Sequence, residues 1–360
     1  LGLQTSPDPI NDELMTNSKS APLRSIAARL SPRRWVQLGF LLFTLWLGWE
    51  FSLFIGQFET PPLEQTTSAR WVAHPDGVEA FLPIGGLTSL KHWITSGTVH
   101  PLHPAALFIF IAVLGVSTIL KKSFCGWICP VGFLSELAYK PWKSWFKKNV
   151  QLPKPIDFTL RSLKYLVLGF FFWIIVIAMT PAQGLDFLDS DYWKIADVKM
   201  YYFFASPSTL SLIVIGSLVL LSIPMRNFWC RFLCPYGALL GLTGLLSPFK
   251  IRRDVSLCHN CKKCTRNCPA HLPVATSKSI ISPECTSCLT CKTGCPSGAL
   301  TYSSGKKSKG LSPRILACAV VLGFVAVILA AKLGGVWKSQ VSTDDLHRLI
   351  PGIGKMEHPQ

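Results

Sequence analysis

The chain has 360 residues, 49% of them apolar and 15% charged, with 12 Trp, 22 Phe, a mean hydropathy of +0.36 and a formal net charge of +17. Apolar runs near the ~20 residues a bilayer requires exclude an ordinary soluble domain. So large a positive charge raises nucleic acid as a partner, and its distribution along the chain decides against it.

Leu1 to Ser20 is polar and lacks an apolar h-region, so no cleaved signal peptide is expected, and Met15 is an alternative start. Five apolar spans follow, Trp35–Gly56, Leu102–Leu120, Leu163–Pro181, Ser206–Met225 and Ile315–Ala331, each 17 to 22 residues long. With the N-terminus inside, the inside segments hold 28 of the 36 Lys and Arg, and the outside segments hold eight. This bias predicts a multi-pass protein of the inner membrane, N-terminus in the cytoplasm and C-terminus outside. It also accounts for the charge without a nucleic-acid surface.

In span one, Glu50 sits in "LWLGWEFSLFIGQ", where an acidic side chain costs about 3 kcal/mol unless protonated, paired or facing a cavity. It is the candidate catalytic residue, handling a proton of a bound quinone, and the alternative is a carboxylate facing the outer interface. His74 and His92 lie in the loop that follows, and "HPLHP" puts His100 and His103 at the edge of span two. A quinone contact or outside metal ligand is one reading, and helix-entry punctuation by the prolines is the other.

"FCGWICPVGFLSEL" from Phe124 recurs 105 residues later as "WCRFLCPYGALLGL" from Trp229, aligning Cys125 with Cys230, Cys129 with Cys234 and Pro130 with Pro235. The unit is a two-span hairpin ending in C-x3-C-P, duplicated in parallel. Cysteines four apart on a helix share a face, so Cys125, Cys129, Cys230 and Cys234 are candidates for one shared iron–sulfur or other metal centre. Regulatory thiol pairs and simple packing are the alternatives.

Cys258-x2-Cys261-x2-Cys264-x3-Cys268-Pro269 and Cys285-x2-Cys288-x2-Cys291-x3-Cys295-Pro296 repeat the spacing of two-cluster ferredoxins, where the fourth thiolate of each run serves the other cluster. Cys258, Cys261, Cys264 and Cys295 are expected to hold one [4Fe–4S] cluster, and Cys285, Cys288, Cys291 and Cys268 the second. Zinc sites take one pair from each of two loops, and the inside location is reducing, which disfavours zinc and disulfides. Cys318, alone in span five, reads as a packing residue.

The predicted fold is therefore an all-α membrane protein of about five helices with a small α+β ferredoxin-like insert. Its parts are an arm (1–34), a first hairpin (35–137), a basic connector (138–162), a second hairpin (163–242), a connector (243–257), the two-cluster segment (258–300), a linker (301–313), the fifth helix (314–332) and an outside tail (333–360).

Spans, paired C-x3-C-P elements and a double-cluster segment make the chain, from Trp35 to Leu300, resemble the NapH-type membrane ferredoxins, a family that includes NosR-like and FixG/RdxA-like proteins. The resemblance implies membrane-bound electron transfer, often linked to the quinone pool, with other redox subunits or cytochromes as partners. NosR-like proteins carry a large flavin-bearing outside domain and FixG-like ones a folded C-terminal outside domain. Neither fits in this chain, which leaves a minimal electron-transfer module, read as a subunit that oxidises quinol. An assembly factor supplying electrons for maturation of a respiratory metalloenzyme, or a redox sensor, is the alternative.

Overall fold

The computed structural model describes residues 31–59, 71–146, 152–305 and 310–353. The expected arm up to residue 30, part of the first loop, part of the 301–313 linker and the end of the tail lie outside these residues. In chain order the helices are α1 (Pro32–Glu59), α2 (Pro83–Ser96), α3 (Pro104–Ile119), α4 (Ser123–Trp127), α5 (Pro130–Phe146), α6 (Lys154–Phe172), α7 (Pro181–Asp189), α8 (Asp191–Lys194), α9 (Ala196–Ala205), α10 (Thr209–Ser222), α11 (Phe228–Phe232), α12 (Pro235–Thr243), α13 (Lys263–Arg266), α14 (Thr290–Thr293), α15 (Pro313–Leu333) and α16 (Thr343–Leu349). Strands β1 (Lys250–Arg253) and β2 (Leu300–Ser303) flank α13 and α14.

Among the described residues, three helical segments are long and apolar enough to cross a bilayer: α1, residues Pro155–Ala178, where α6 runs on into a π-helical turn, and α15. They turn large apolar side chains outward, among them Leu45, Trp49, Leu166, Phe170 and Leu322, as lipid contact demands. Together α9 and α10 would make a fourth crossing, bent by 70°. In place of the predicted span Ser206–Met225, α10 has 14 residues, opened by Ser208, whose side chain accepts from the Ser211 N–H, and ended ahead of Pro224.

Predicted span two becomes α3, with 16 residues and a length of about 24 Å at the helical rise. Ala105, Leu107 and Ala112 are fully buried, and α2 and α15 pack against it. A helix apolar on all sides belongs at the centre of such a bundle.

One end of the bundle carries every cysteine of the paired motifs. There β1 and β2 pair antiparallel, Ile251 opposite Tyr302, and close the cysteine-dense segment at both ends. Thus the stretch read as connector 243–257 contains the first strand of that unit. Tyr302 is fully buried and donates to the Leu120 carbonyl (2.9 Å), and Ile251, Leu289 and Leu300 share one core with Val116, Trp127 and Leu316 of the helices. Fused cores of this kind hold the unit as part of the bundle.

The opposite end is covered by a far layer: a 3₁₀ turn (Asp76–Phe81), α2, α7 to α9 and the C-terminal segment with α16. Phe51, Phe54 and Phe58 of α1 pack there against Val198, Leu346 and Leu349. Gln340 N–H donates to the Pro101 carbonyl (3.0 Å), and Lys194 bridges to Asp345 (3.2 Å), so the described tail is an integral part of this layer. Lys91 donates to the Ile175 and Val176 carbonyls, capping the π-helical turn with a cation where helix carbonyls lack partners. Cys318 is exposed on α15, on the surface read as facing lipid, and so is not the packing residue expected.

Candidate metal centres

Each hairpin builds its thiol pair in the same way. Lys122 and Asn227, 105 residues apart, take left-handed backbone (φ 49° and 58°) and open the one-turn helices α4 and α11. Cys129 N–H donates to the Phe124 carbonyl (3.0 Å) and Cys234 N–H to that of Trp229 (3.0 Å). Pro130 and Pro235 then open α5 and α12, leaving the second cysteine of each pair at a helix N-terminus. There the Gly237 N–H donates to Cys234 Sγ (3.2 Å), and Gly132 N–H serves Cys129 likewise. The two thiols of a pair are therefore not presented by one helical turn, as expected. The second falls in the break between two helices, because a residue before proline is disfavoured in α conformation.

Structurally the two pairs converge. Burial pushes the Cys125 thiol up to about 12 and Cys129 up to about 11. It raises Cys230 well above the ordinary thiol range, and neighbouring Cys129, Cys234 and Cys125 raise it again. Lys122 pulls back on three of the four, Cys125, Cys230 and Cys234. Four half-buried cysteines in one another's field are costly as bare thiolates and fit a positively charged iron core with four sulfur ligands. Thiols held up by burial are poor nucleophiles, which weighs against regulatory pairs, and packing alone does not aim N–H groups at sulfur. Tyr236, next to Pro235, stacks on Phe110 of α3 (5.7 Å) and meets Phe124 (6.4 Å), an aromatic column from the bundle interior to these thiols. Only its place in "CPYG" could have flagged it.

The ferredoxin-like runs repeat at an offset of 27 residues. Asn260 and Lys262 take left-handed backbone, as do Ser287 and Leu289, and α13 and α14 follow them. Cys268 N–H donates to the Thr265 carbonyl and Cys295 N–H to that of Lys292. Cys268, Cys285, Cys288 and Cys291 line one cavity with Leu272 and Leu289. Burial raises Cys285 to about 11, with Ser287 N–H and the Lys121 ammonium opposing, and it raises Cys268 and Cys291 too. Four sulfurs around one apolar cavity fit a cubane cluster.

The remaining quartet lies nearer water. Cys261 is exposed, Cys258 is held down by hydrogen bonds from the Arg253 side chain and the Asn260 N–H, and Cys264 is buried. Cys295 is also held down, by Ser297 and backbone N–H groups that outweigh burial.

The first thiol pair abuts the ferredoxin quartet that lines this cavity. Trp127 Nε1 donates to the Ser287 carbonyl (3.0 Å), and Ser287 Oγ donates to the Lys121 carbonyl (3.0 Å). A Cβ on Gly126 would sit 2.5 Å from the Thr286 carbonyl oxygen, so glycine alone permits this approach. Glu284 is clamped by both carboxylate oxygens to Lys164 (2.7 Å each) and accepts from the Tyr165 hydroxyl (3.1 Å), tying the same loop to α6. Lys164 is fully buried. None of these contacts carries a motif, since each joins residues more than 100 apart.

Glu50 is brought to neither set of thiols. It is half-buried on α1, about 20 Å along the helix from Gln37 at the cysteine end, with no hydrogen-bond partner among the described residues. Of the histidines singled out, His92 is half-buried beside Ser96, His100 meets Asp189 (3.1 Å), and His74 and His103 enter one carboxylate-rich cluster in the far layer.

A family profile described as "4Fe-4S binding domain" matches residues 102–153 and 207–254, the two C-x3-C-P units. The chain is 39% identical to the "Putative electron transport protein YccM" of Escherichia coli (strain K12), covering 91% of each chain. It is 26% identical to the "Ferredoxin-type protein NapH" of Haemophilus influenzae over 56% of this chain and 67% of that one. It is 28% identical to the "Regulatory protein NosR" of Stutzerimonas stutzeri over 52% of this chain and 25% of that one. No solved structure matches it at a significant level. Its cofactors are [4Fe–4S] clusters, and the chain belongs to the NapH- and NosR-type ferredoxin membrane proteins, iron–sulfur electron-transport proteins embedded in the bilayer.

Proposed function

We propose that this chain exchanges electrons between quinol in the membrane and a redox subunit or cytochrome through three thiolate quartets in series. The observation that carries this reading is their contiguity. Cys125, Cys129, Cys230 and Cys234 lie at the end of the apolar bundle, Cys268, Cys285, Cys288 and Cys291 pack directly against them through Trp127 and Ser287, and the quartet of Cys258, Cys261, Cys264 and Cys295 reaches the surface through Cys261. An iron–sulfur centre in each quartet supplies one-electron transfer.

The protein's own residues do the rest. Gly132 and Gly237 N–H groups and Lys122 favour the thiolate form at the first quartet, and Phe110 and Tyr236 give a quinone ring an aromatic approach to it. Oxidation of quinol releases two electrons and two protons, and we assign Glu50 to handling protons toward the far layer.

We place the cysteine end in the cytoplasm and the far layer outside, on the Lys/Arg bias, and count α3 and α10 with their flanks as spans two and four. This gives five spans, N-terminus in and C-terminus out.

Iron analysis and EPR of the reduced protein test the first quartet. The wild type is expected to hold about 12 irons and a third signal, with about eight irons and no third signal in Cys125→Ser or Cys230→Ser. About eight irons in all three proteins would remove the C-x3-C-P thiols from the pathway.

A further inference from the structure

We propose that His74, Asp76 and Glu79, in the far layer, form a binding site for a divalent transition-metal ion of the zinc class, separate from the iron–sulfur centres. Their ligand atoms all lie within 4.8 Å of one another. Local structure brings this about: Pro75 separates His74 from the 3₁₀ turn Asp76–Phe81, and residues three apart on a 3₁₀ turn eclipse, so Asp76 and Glu79 offer carboxylates on one side.

Each ligand is gripped from behind by a group outside the trio. His74 Nε2 meets Asp197 Oδ2 (2.7 Å), which leaves Nδ1 turned toward Asp76 (3.1 Å). Glu79 meets His103 Nδ1 (2.9 Å) through one oxygen and accepts the Ala106 N–H (2.7 Å) on the other. His103 Nε2 donates to the Trp193 carbonyl (2.9 Å), and Ser339 N–H reaches Asp76 (3.4 Å). A carboxylate on the remote nitrogen of a histidine is the arrangement that orients metal-bound imidazoles.

Burial points the same way: Glu79, His103 and Asp197 are buried, and buried carboxylates are costly unless paired or coordinated to a metal. One imidazole and two carboxylates suit zinc-class ions over magnesium or copper(I), and leave a fourth position for water. The side chains of His74 and Asp76, 19% and 13% exposed, provide the entry path. Bound there, the ion would fasten the 3₁₀ turn to α3, α9 and the C-terminal segment at once.

Zinc titration of the full-length, iron-loaded protein against a chromophoric chelator tests this, with iron content as the control for folding. One zinc per chain is expected in the wild type, with affinity reduced more than 100-fold in His74→Ala and Glu79→Gln. Asp197→Asn, which removes only the group behind His74, is expected to cost about 10- to 100-fold. His92→Ala is expected to bind as the wild type does. Absence of one-to-one uptake by the wild type, which requires no variant to fold, would overturn the site and leave a proton-only network. Unaltered uptake by His74→Ala with full iron content would overturn it too.

Discussion

Glu136 shows what single residues contribute at the cysteine end. On α5, 3% exposed, it receives Arg33 (2.6 Å), Arg34 (3.1 Å) and Arg226 (3.1 Å), so one carboxylate joins the start of α1 to both C-x3-C-P units. Burial alone would raise its pKa, but the three guanidiniums outweigh burial and hold it below the usual carboxylate range. Glu136→Gln leaves the arginines facing one another, and we expect a loss of about 3 kcal/mol in thermal unfolding at neutral pH. With a depressed folded-state pKa, the stabilisation is complete above the ordinary carboxylate pKa and is lost as pH falls through the depressed value. The gap between wild type and Glu136→Gln should therefore narrow in acid, and a constant gap would mean that charge is not its source. The cysteines were legible because their spacing is local. Glu136 was not, since its partners lie 103, 102 and 90 residues away.

Among elements, the duplicated unit was legible as a repeat, and its geometry repeats too, from the left-handed Lys122 and Asn227 to the glycine N–H at the second sulfur. The break within each C-x3-C was not read, although Pro130 and Pro235 announce it. Nor did β1 show itself, because a four-residue basic strand, Lys250–Arg253, offers little alternation and exists by pairing with β2 fifty residues on. Gly126 marks the contact between α4 and the Cys285 loop. Gly126→Ala is expected to keep the full iron content while slowing electron passage from the first quartet to the second several-fold in rapid-mixing absorbance measurements. An unchanged rate would mean that electrons take another route.

As a whole, the molecule is a bundle with a ferredoxin-like unit grown into one end and a folded layer over the other. Hydropathy announced the bundle and charge bias its proposed orientation, but it could not separate a lipid-facing helix such as α10 from the buried α3. That distinction depends on neighbours, as α3 is surrounded by α2, α12 and α15. The far layer was unreadable for a related reason: α16 and Asp197 acquire partners only when segments from residues 74 to 349 meet.

The central claim, an unbroken path from membrane quinol to surface thiolates, is tested most directly by mixing anaerobic, oxidised protein in lipid nanodiscs with a quinol and following the iron–sulfur absorbance. The account predicts bleaching of the ferredoxin-type centres in the wild type, and its loss in Cys230→Ser although those centres remain assembled. Centres that accept electrons from dithionite but not from any quinol, or that bleach equally in Cys230→Ser, would contradict it.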